Sequence, residues 1–305
     1  MPLTACGALV RVGRGPAAAW GAARRSRAGA GDGRPPAVSR PLILVTNDDG
    51  ILAPGLAALA EAVQDLGEVL VCAPETERSG SSHAITLHSH LRTDEIKPGW
   101  FRVNGTPVDC VYLGSLHLCA RRPDLVVSGV NPGFNLGSDV FYSGTVGGAA
   151  EGYIRGASAI AVSVHARESP RVAIPIVRTL AKVLLASSQR SLLNVNIPWL
   201  SREAPGRAAD TVAEGLPLQV TRLGARPYVE QVERRQDPRG QAYFWIGGPP
   251  RDAGEKQGED TWAVLHGQIS VTPLVLDITA PDLSPWQSML EHVSVASTSA
   301  GGEPT

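Results

Sequence analysis

The chain predicts an α/β fold, a mostly parallel sheet flanked by helices with a C-terminal β-rich arm. Three observations carry that reading. Short apolar runs recur between residues 42 and 197 without polar alternation, as strands buried on both faces require. The first two runs are joined by a segment whose apolar residues follow helical spacing. Beyond Pro198 the alternation of strand and helix stops, and strand-like runs follow one another between Gly, Pro and charged turns.

Leu42 to Thr46 is the first strand, an apolar run closed by a polar loop. Pro54 suits a first helical turn, and Leu56, Leu59, Ala60 and Val63 recur at helical spacing up to Gly67. Val69 to Ala73 follows as a strand closed by Pro74, which completes a right-handed βαβ unit. Glu75 to Ser89 is polar and turn-rich, a long connection of the kind that carries function. Gly105-Thr106-Pro107 reads as a tight turn leading to a helix over Asp109 to Leu118. Leu125 to Ser128 is another buried strand, and Gly129 to Ser143 a loop rich in Gly and Asn. A helix is expected from Gly144-Thr145 to Tyr153, strands at Ala159 to Val164 and Leu193 to Ile197, and a helix between them over Ile174 to Ala186. In the arm, Leu218 to Thr221, Ala242 to Ile246 and Ile269 to Ile278 read as strands. Ile269, Val271, Leu274, Val275 and Leu276 supply apolar surface that an extended arm would have to bury on a second copy of the chain.

With 305 residues and 43% apolar content, the chain can bury a sizeable core. A formal net charge of -1 and 5% aromatic content argue against a surface for a nucleic-acid polymer. No run reaches the roughly 18 apolar residues of a membrane span. Cys6, Cys72, Cys110 and Cys119 form no C-x-x-C pair, so they read as reduced structural thiols and point to the cytoplasm. Residues 1–40 stand apart, rich in Ala, Gly, Arg and Pro with Asp32 their only acid. They read as a disordered or organelle-targeting extension. The organisation expected is therefore that extension, a catalytic domain over 41–200, an arm over 201–285 used in oligomerisation, and a tail over 286–305.

Polar residues gather after three separate strands: Asp48 and Asp49 after the first, Ser79 after the second, Asn131 after the strand at Leu125. Loops from the carboxyl ends of parallel strands converge on ligands. A helix cap or a turn is the structural alternative for either Asp. Two adjacent carboxylates, however, repel unless a cation neutralises them. Asp, Asp, Ser and Asn offer only oxygen donors, which favour Mg²⁺ or Mn²⁺ over softer metals. Ser143, Gly144 and Thr145 open a helix with small residues, where free N–H groups hold phosphate well. No Lys follows them, so this is not a triphosphate-binding P-loop. His83, His88 and His90 lack the spacing of a zinc site and read as structural.

Taken together these segments resemble the SurE survival-protein family of metal-dependent 5'-nucleotidases (acid phosphatases). The matching stretches are VTNDDGILAPGL, VCAPETERSGSSHAITL, NGTPVDCVYLG and PDLVVSGVNPGFNLGSDVFYSGTVGGAAEG, with NVNIP and HGQISVTPLVLDIT later. The resemblance implies a Rossmann-like domain with an arm exchanged between subunits, in a homodimer or homotetramer. It implies one divalent cation per subunit, Mg²⁺ or Mn²⁺, held by Asp48, Asp49, Ser79 and Asn131, with Asp48 and Asp49 catalytic. It also places Asn135, Ser143, Gly144 and Thr145 in the phosphate pocket. The substrate expected is a small nucleoside 5'-monophosphate, with 3'-nucleotides and polyphosphate as further candidates. The family often has His where Leu52 stands and Asp where Ser138 stands, departures that bear on substrate preference rather than on the metal. A non-catalytic nucleotide-binding module is the alternative. A dinucleotide-dependent dehydrogenase is disfavoured because Asn-Asp-Asp-Gly, not G-x-G-x-x-G, follows the first strand.

Overall fold

A computed structural model describes residues 40–200, 217–229, 231–248, 256–291 and 293. The extension over 1–39, Cys6 included, and most of the expected tail lie outside the described residues. The core is one nine-stranded sheet in the order β3-β4-β2-β1-β5-β6-β7-β11-β8. Its strands are β1 (Leu42–Thr46), β2 (Glu68–Pro74), β3 (Thr93–Lys97), β4 (Trp100–Val103), β5 (Leu125–Pro132), β6 (Ser158–Val164), β7 (Leu192–Ile197), β8 (Leu218–Val220) and β11 (Ile269–Leu274). From β4 to β7 every neighbouring pair is parallel. β3 on one side and β11 on the other are antiparallel to their inner neighbours.

Helices α1 (Pro54–Val63) and α4 (Ala173–Ala186) cover one face of the sheet, burying Leu56, Leu59, Val63, Ile176 and Val177 against Ile43, Val45, Val127 and Ile160. On the other face α2 (Pro107–Leu113) and α3 (Gly144–Ile154) set Val111, Val146 and Ala149 against Leu44, Val126 and Ala159. β1, β6 and β7 are buried along their whole length and are mostly apolar, with Asn194 and Asn196 of β7 as buried amides that need internal partners.

Most expected elements are present, with informative shifts. α1 ends at Val63 rather than Gly67. α2 starts two residues early because Thr106 and Asp109 form a reciprocal capping box. β5 runs on to Pro132, through residues read as loop, with a register shift between Gly129 and Asn131 against β6. The largest correction concerns the arm. β11 pairs with β7, so Ile269 and Val271 are buried in the chain's own core rather than left for a second copy, whereas Val275 and Leu276 beyond its end are exposed. Among the described residues the β9 (Gln231–Gln236) and β10 (Ala242–Gly247) hairpin forms a separate antiparallel pair outside the nine-stranded sheet. Its strands and the short helix α5 (Asp260–Leu265) complete the elements that bear on the site; a last helix, α6 (Ser284–Leu290), is wholly exposed.

Candidate active site

β1 lies between β2 and β5, so the chain leaves it in one direction and later returns on the other side. That reversal opens a crevice beyond the carboxyl ends of β1 and β5, the usual ligand position in such sheets. Asp48 and Asp49 leave the end of β1. Gly50 takes φ +101° directly after them and packs against the Thr76 backbone, a turn that a side chain would strain. Asn47 fixes this turn by donating its amide to the Gly50 carbonyl at 3.0 Å.

Asp48 is buried, and Thr145 Oγ1 donates to its Oδ1 at 2.5 Å. The α3 N-terminus thus meets the carboxylate, where the helix dipole favours negative charge. Gly144 makes this approach possible: a Cβ there would come within 3.0 Å of Asp48 and 2.6 Å of Ser81 Oγ. Burial still pushes the Asp48 carboxyl above its usual range, although the Thr145 hydrogen bond works against the shift. Asp49 is pushed up to about 7 by burial first, then by the neighbouring charges of Asp48 and Glu77. Its Oδ2 and the Asn47 Oδ1 are buried without a hydrogen-bond partner. Two crowded carboxylates and orphaned oxygens are what a bound cation would satisfy.

Ser79 and Asn131, which line the same cavity as Asp48, would complete an all-oxygen set. Ser79 donates its hydroxyl to Glu77 Oε1 at 2.7 Å, which leaves its oxygen lone pairs turned to other partners. Asn131 Nδ2 donates to the Gly133 carbonyl at 2.7 Å, so the amide group is oriented with its carbonyl oxygen as the remaining donor atom. The register shift in β5 just before it re-aims this side chain. The donor set fits Mg²⁺ or Mn²⁺ by its chemistry.

Asn135 is held on four sides. Its carbonyl accepts from Asn194 Nδ2 at 2.8 Å and Asn196 Nδ2 at 3.1 Å. Its N–H donates to Asn196 Oδ1 at 2.9 Å, and its side chain donates to Ser163 Oγ at 2.8 Å. Ser143 caps α3, accepting from the Val146 N–H at 3.1 Å. Asp48, Ser79, Asn131, Asn135 and Ser143 line one cavity of about 1010 Å³. Asp49, Gly144 and Thr145 are not among its lining residues, and the Thr145 hydroxyl is spent on Asp48 rather than on the cavity.

Residues beyond the predicted set shape this cavity. Asp139, in the turn before Ser143, pairs with Arg226 at 2.9 Å and accepts from the Tyr228 hydroxyl at 2.8 Å. The Asp139 carbonyl in turn accepts the Ser143 N–H at 3.1 Å, so the strap over 221–229 braces the start of α3. Asp260 at the head of α5 ties the same strap by accepting from Gly224 N–H at 2.7 Å and Gly137 N–H at 2.9 Å. No local spacing announces a partner nearly ninety positions away. Asn194 and Asn196 did leave a signal, two amides on one face of a buried strand, since such groups need partners. His83 binds the buried Glu151 of α3 at 2.9 Å, while His88 and His90 are exposed.

The "Survival protein SurE" family model matches residues 43–230. The chain is 46% identical over 251 residues to the 5'-nucleotidase SurE of Sorangium cellulosum, covering 79% of this chain and 92% of that protein. It is 42% identical over 246 residues to the 5'-nucleotidase SurE of Vibrio parahaemolyticus, with the same coverage of 79% and 92%. A crystal structure of the SurE protein from Aquifex aeolicus superposes with a TM-score of 0.69 at 39% identity, covering 82% of this chain and 100% of that one.

Proposed function

This chain belongs to the SurE family, and from that premise we propose that it is a metal-dependent phosphatase that hydrolyses nucleoside 5'-monophosphates to nucleoside and phosphate. The observation that carries the reading is the meeting of Asp48 with the start of α3, which sets an anion-binding helix end beside a cation-demanding carboxylate pair. The relatives named above are enzymes, which disfavours the non-catalytic binding module.

Asp48, Asp49, Ser79 and Asn131 would hold one Mg²⁺ or Mn²⁺ ion. When bound, such a cation supplies charge neutralisation and polarisation of the phosphoryl group. The Ser143 hydroxyl and the Gly144 N–H at the start of α3 would receive the phosphate oxygens. Asn135 keeps a second amide hydrogen after donating to Ser163, and presents it from a backbone that three hydrogen bonds immobilise. Thr145 holds Asp48 through both its hydroxyl and its backbone N–H, and so orients the carboxylate rather than the phosphate. The same reading makes the chain a homodimer or a dimer of dimers, on the support of the exposed Phe244, Trp245 and Ile246 of the β9–β10 hairpin. Its free Cys72, Cys110 and Cys119 support a reducing, cytoplasmic location. Among the described residues no helix is long and apolar enough to cross a membrane.

Phosphate release from AMP by the full chain tests the proposal. Release with Mn²⁺ present, lost with chelator and restored by Mn²⁺ or Mg²⁺, is the expected result. AMP left intact under all of these conditions overturns it.

A further inference from the structure

Glu151 is a buried carboxylate that the proposed chemistry leaves unused. It sits on α3, two helical turns beyond Gly144, and is only 4% exposed. A charge so buried needs partners. Arg155 Nε, at the end of the helix, lies 2.8 Å from its Oε1. Its Oε2 accepts from His83 Nε2 at 2.9 Å. His83 belongs to the loop that follows β2, four positions past the proposed metal donor Ser79.

That contact is one of several that strap the loop to α3. The Ser82 N–H donates to the Tyr142 carbonyl at 3.1 Å, and the Ser82 hydroxyl to the Phe141 carbonyl at 2.5 Å, just ahead of the helix. Gly147 of α3 admits the loop backbone: a Cβ there would come within 2.4 Å of the Ser82 carbonyl oxygen. Ser82 takes φ +54°, a left-handed conformation that a residue with a side chain keeps only where its surroundings impose it. At the loop's other end the Arg78 N–H donates to the Asp48 carbonyl at 2.7 Å. Ser79 therefore hangs between an anchor on the turn after β1 and an anchor on α3, and is itself exposed. Its own hydroxyl donates to Glu77 of the same loop, which cannot fix where that loop lies.

We propose that His83 and Glu151 are positioning residues for the cation. Their contact latches the loop onto α3 and so keeps Ser79 at the cavity it shares with Asp48. The inference rests on the metal-dependent reading above and adds what holds the donor loop in place. A donor set ordered in advance binds its ion without spending affinity on ordering the loop. Because α3 also opens at Ser143 and Gly144, the latch ties a metal donor and the phosphate contacts to the same helix.

The test titrates Mn²⁺ into the metal-free full chain without substrate and follows free Mn²⁺ by its paramagnetic resonance signal. His83→Ala should weaken Mn²⁺ binding about tenfold, the low end of what outer partners contribute at metal sites. The thermal midpoint of the metal-free chain should stay near wild type. His83→Gln, which keeps an N–H donor near the place of Nε2, should recover most of the affinity. Gly147→Ala should also weaken Mn²⁺ binding with His83 and Glu151 unchanged, because its methyl group displaces Ser82; alanine suits a helix, so α3 should persist. Equal Mn²⁺ affinity in wild type and His83→Ala overturns the latch. So does a lowered midpoint at unchanged affinity, which makes the contact a structural brace. Should His83→Ala fail to fold, wild-type affinity in Gly147→Ala rejects the latch on its own. A wild-type chain that binds no Mn²⁺ overturns the metal-dependent reading instead.

Discussion

The β1–β7 layer and the β9–β10 hairpin solve opposite problems with similar apolar residues. In the first, Leu44, Val45, Val127 and Ile160 are fully buried between two helix layers. In the second every residue of both strands is exposed, Trp245 at 60% and Ile246 at 89% among them. A sheet buried on both faces is complete within one chain, whereas an isolated two-stranded hairpin is marginal in water. What the comparison teaches is a division of labour. The parallel layer is proposed to carry the chemistry at its carboxyl edge, while the hairpin presents exposed apolar surface and lends Val232 and Ile246 to the rim of the same cavity.

The division breaks most visibly if chemistry does not reside where β1 ends. Asp48→Asn or Asp49→Asn should lower kcat for AMP on the order of a hundred- to a thousandfold, with the thermal midpoint close to wild type. Saturating Mn²⁺ should not restore it, because the lost charge belongs to the donor set. Turnover near the wild-type level in either variant, measured by phosphate release, would remove these residues from the catalytic centre.

On the hairpin side the effect is on assembly. Replacing residues 231–247 with a short Gly linker should convert the proposed homo-oligomer into monomers or aggregates, since apolar faces and strand edges would lose their cover. Light scattering reads the outcome. A wild-type chain that is a fully active monomer of 32.0 kDa would show instead that the hairpin has no intermolecular role.

A smaller effect should come from the joint between the two regions. Asp139→Asn weakens the Arg226 ion pair that braces the turn before Ser143. We expect kcat/KM for AMP to fall roughly ten- to a hundredfold, because small misplacements of a positioning group are costly. The fall should lie mainly in KM, with inorganic phosphate inhibiting less strongly. A variant that loses stability but keeps the wild-type KM would make Asp139 purely structural.

How much of this was legible beforehand follows the same boundary. Buried parallel strands declare themselves as apolar runs, so β1, β2, β6 and β7 were placed within a residue or so at each end. Parallel topology sends successive strand ends to one edge, and Asp48, Ser79 and Asn131 do meet there at one cavity, with Asp49 outside its lining. β3, with its exposed Asp94 and Glu95, gave no apolar period to read. β11 was read as arm because an antiparallel partner at β7, more than seventy positions earlier, leaves no local mark. The brace at Asp139, Arg226 and Tyr228 was missed for that same reason. The role of Thr145 moved because a hydroxyl at a helix start can serve either a ligand or a carboxylate, and only the packing of α3 on β1 decides which.

The smallest effect concerns residues 1–39, to which the comparison assigns no part. Each proposed metal donor and each proposed phosphate contact follows Arg40 in sequence, and β1 begins only at Leu42. The extension itself has no apolar periodicity with which to cover a face of the sheet, and its basic cluster at Arg24, Arg25 and Arg27 offers charge without a hydrophobic anchor. A protein starting at Arg40 should therefore keep kcat and KM for AMP within about twofold and the same oligomeric mass. Arg40 itself is worth retaining, since its carbonyl accepts from Arg121 at 2.9 Å beside the start of β1. Loss of solubility or turnover in that truncated protein, with the wild type measured alongside, would mean that the extension stabilises the parallel layer, and the boundary drawn at Arg40 would have to move.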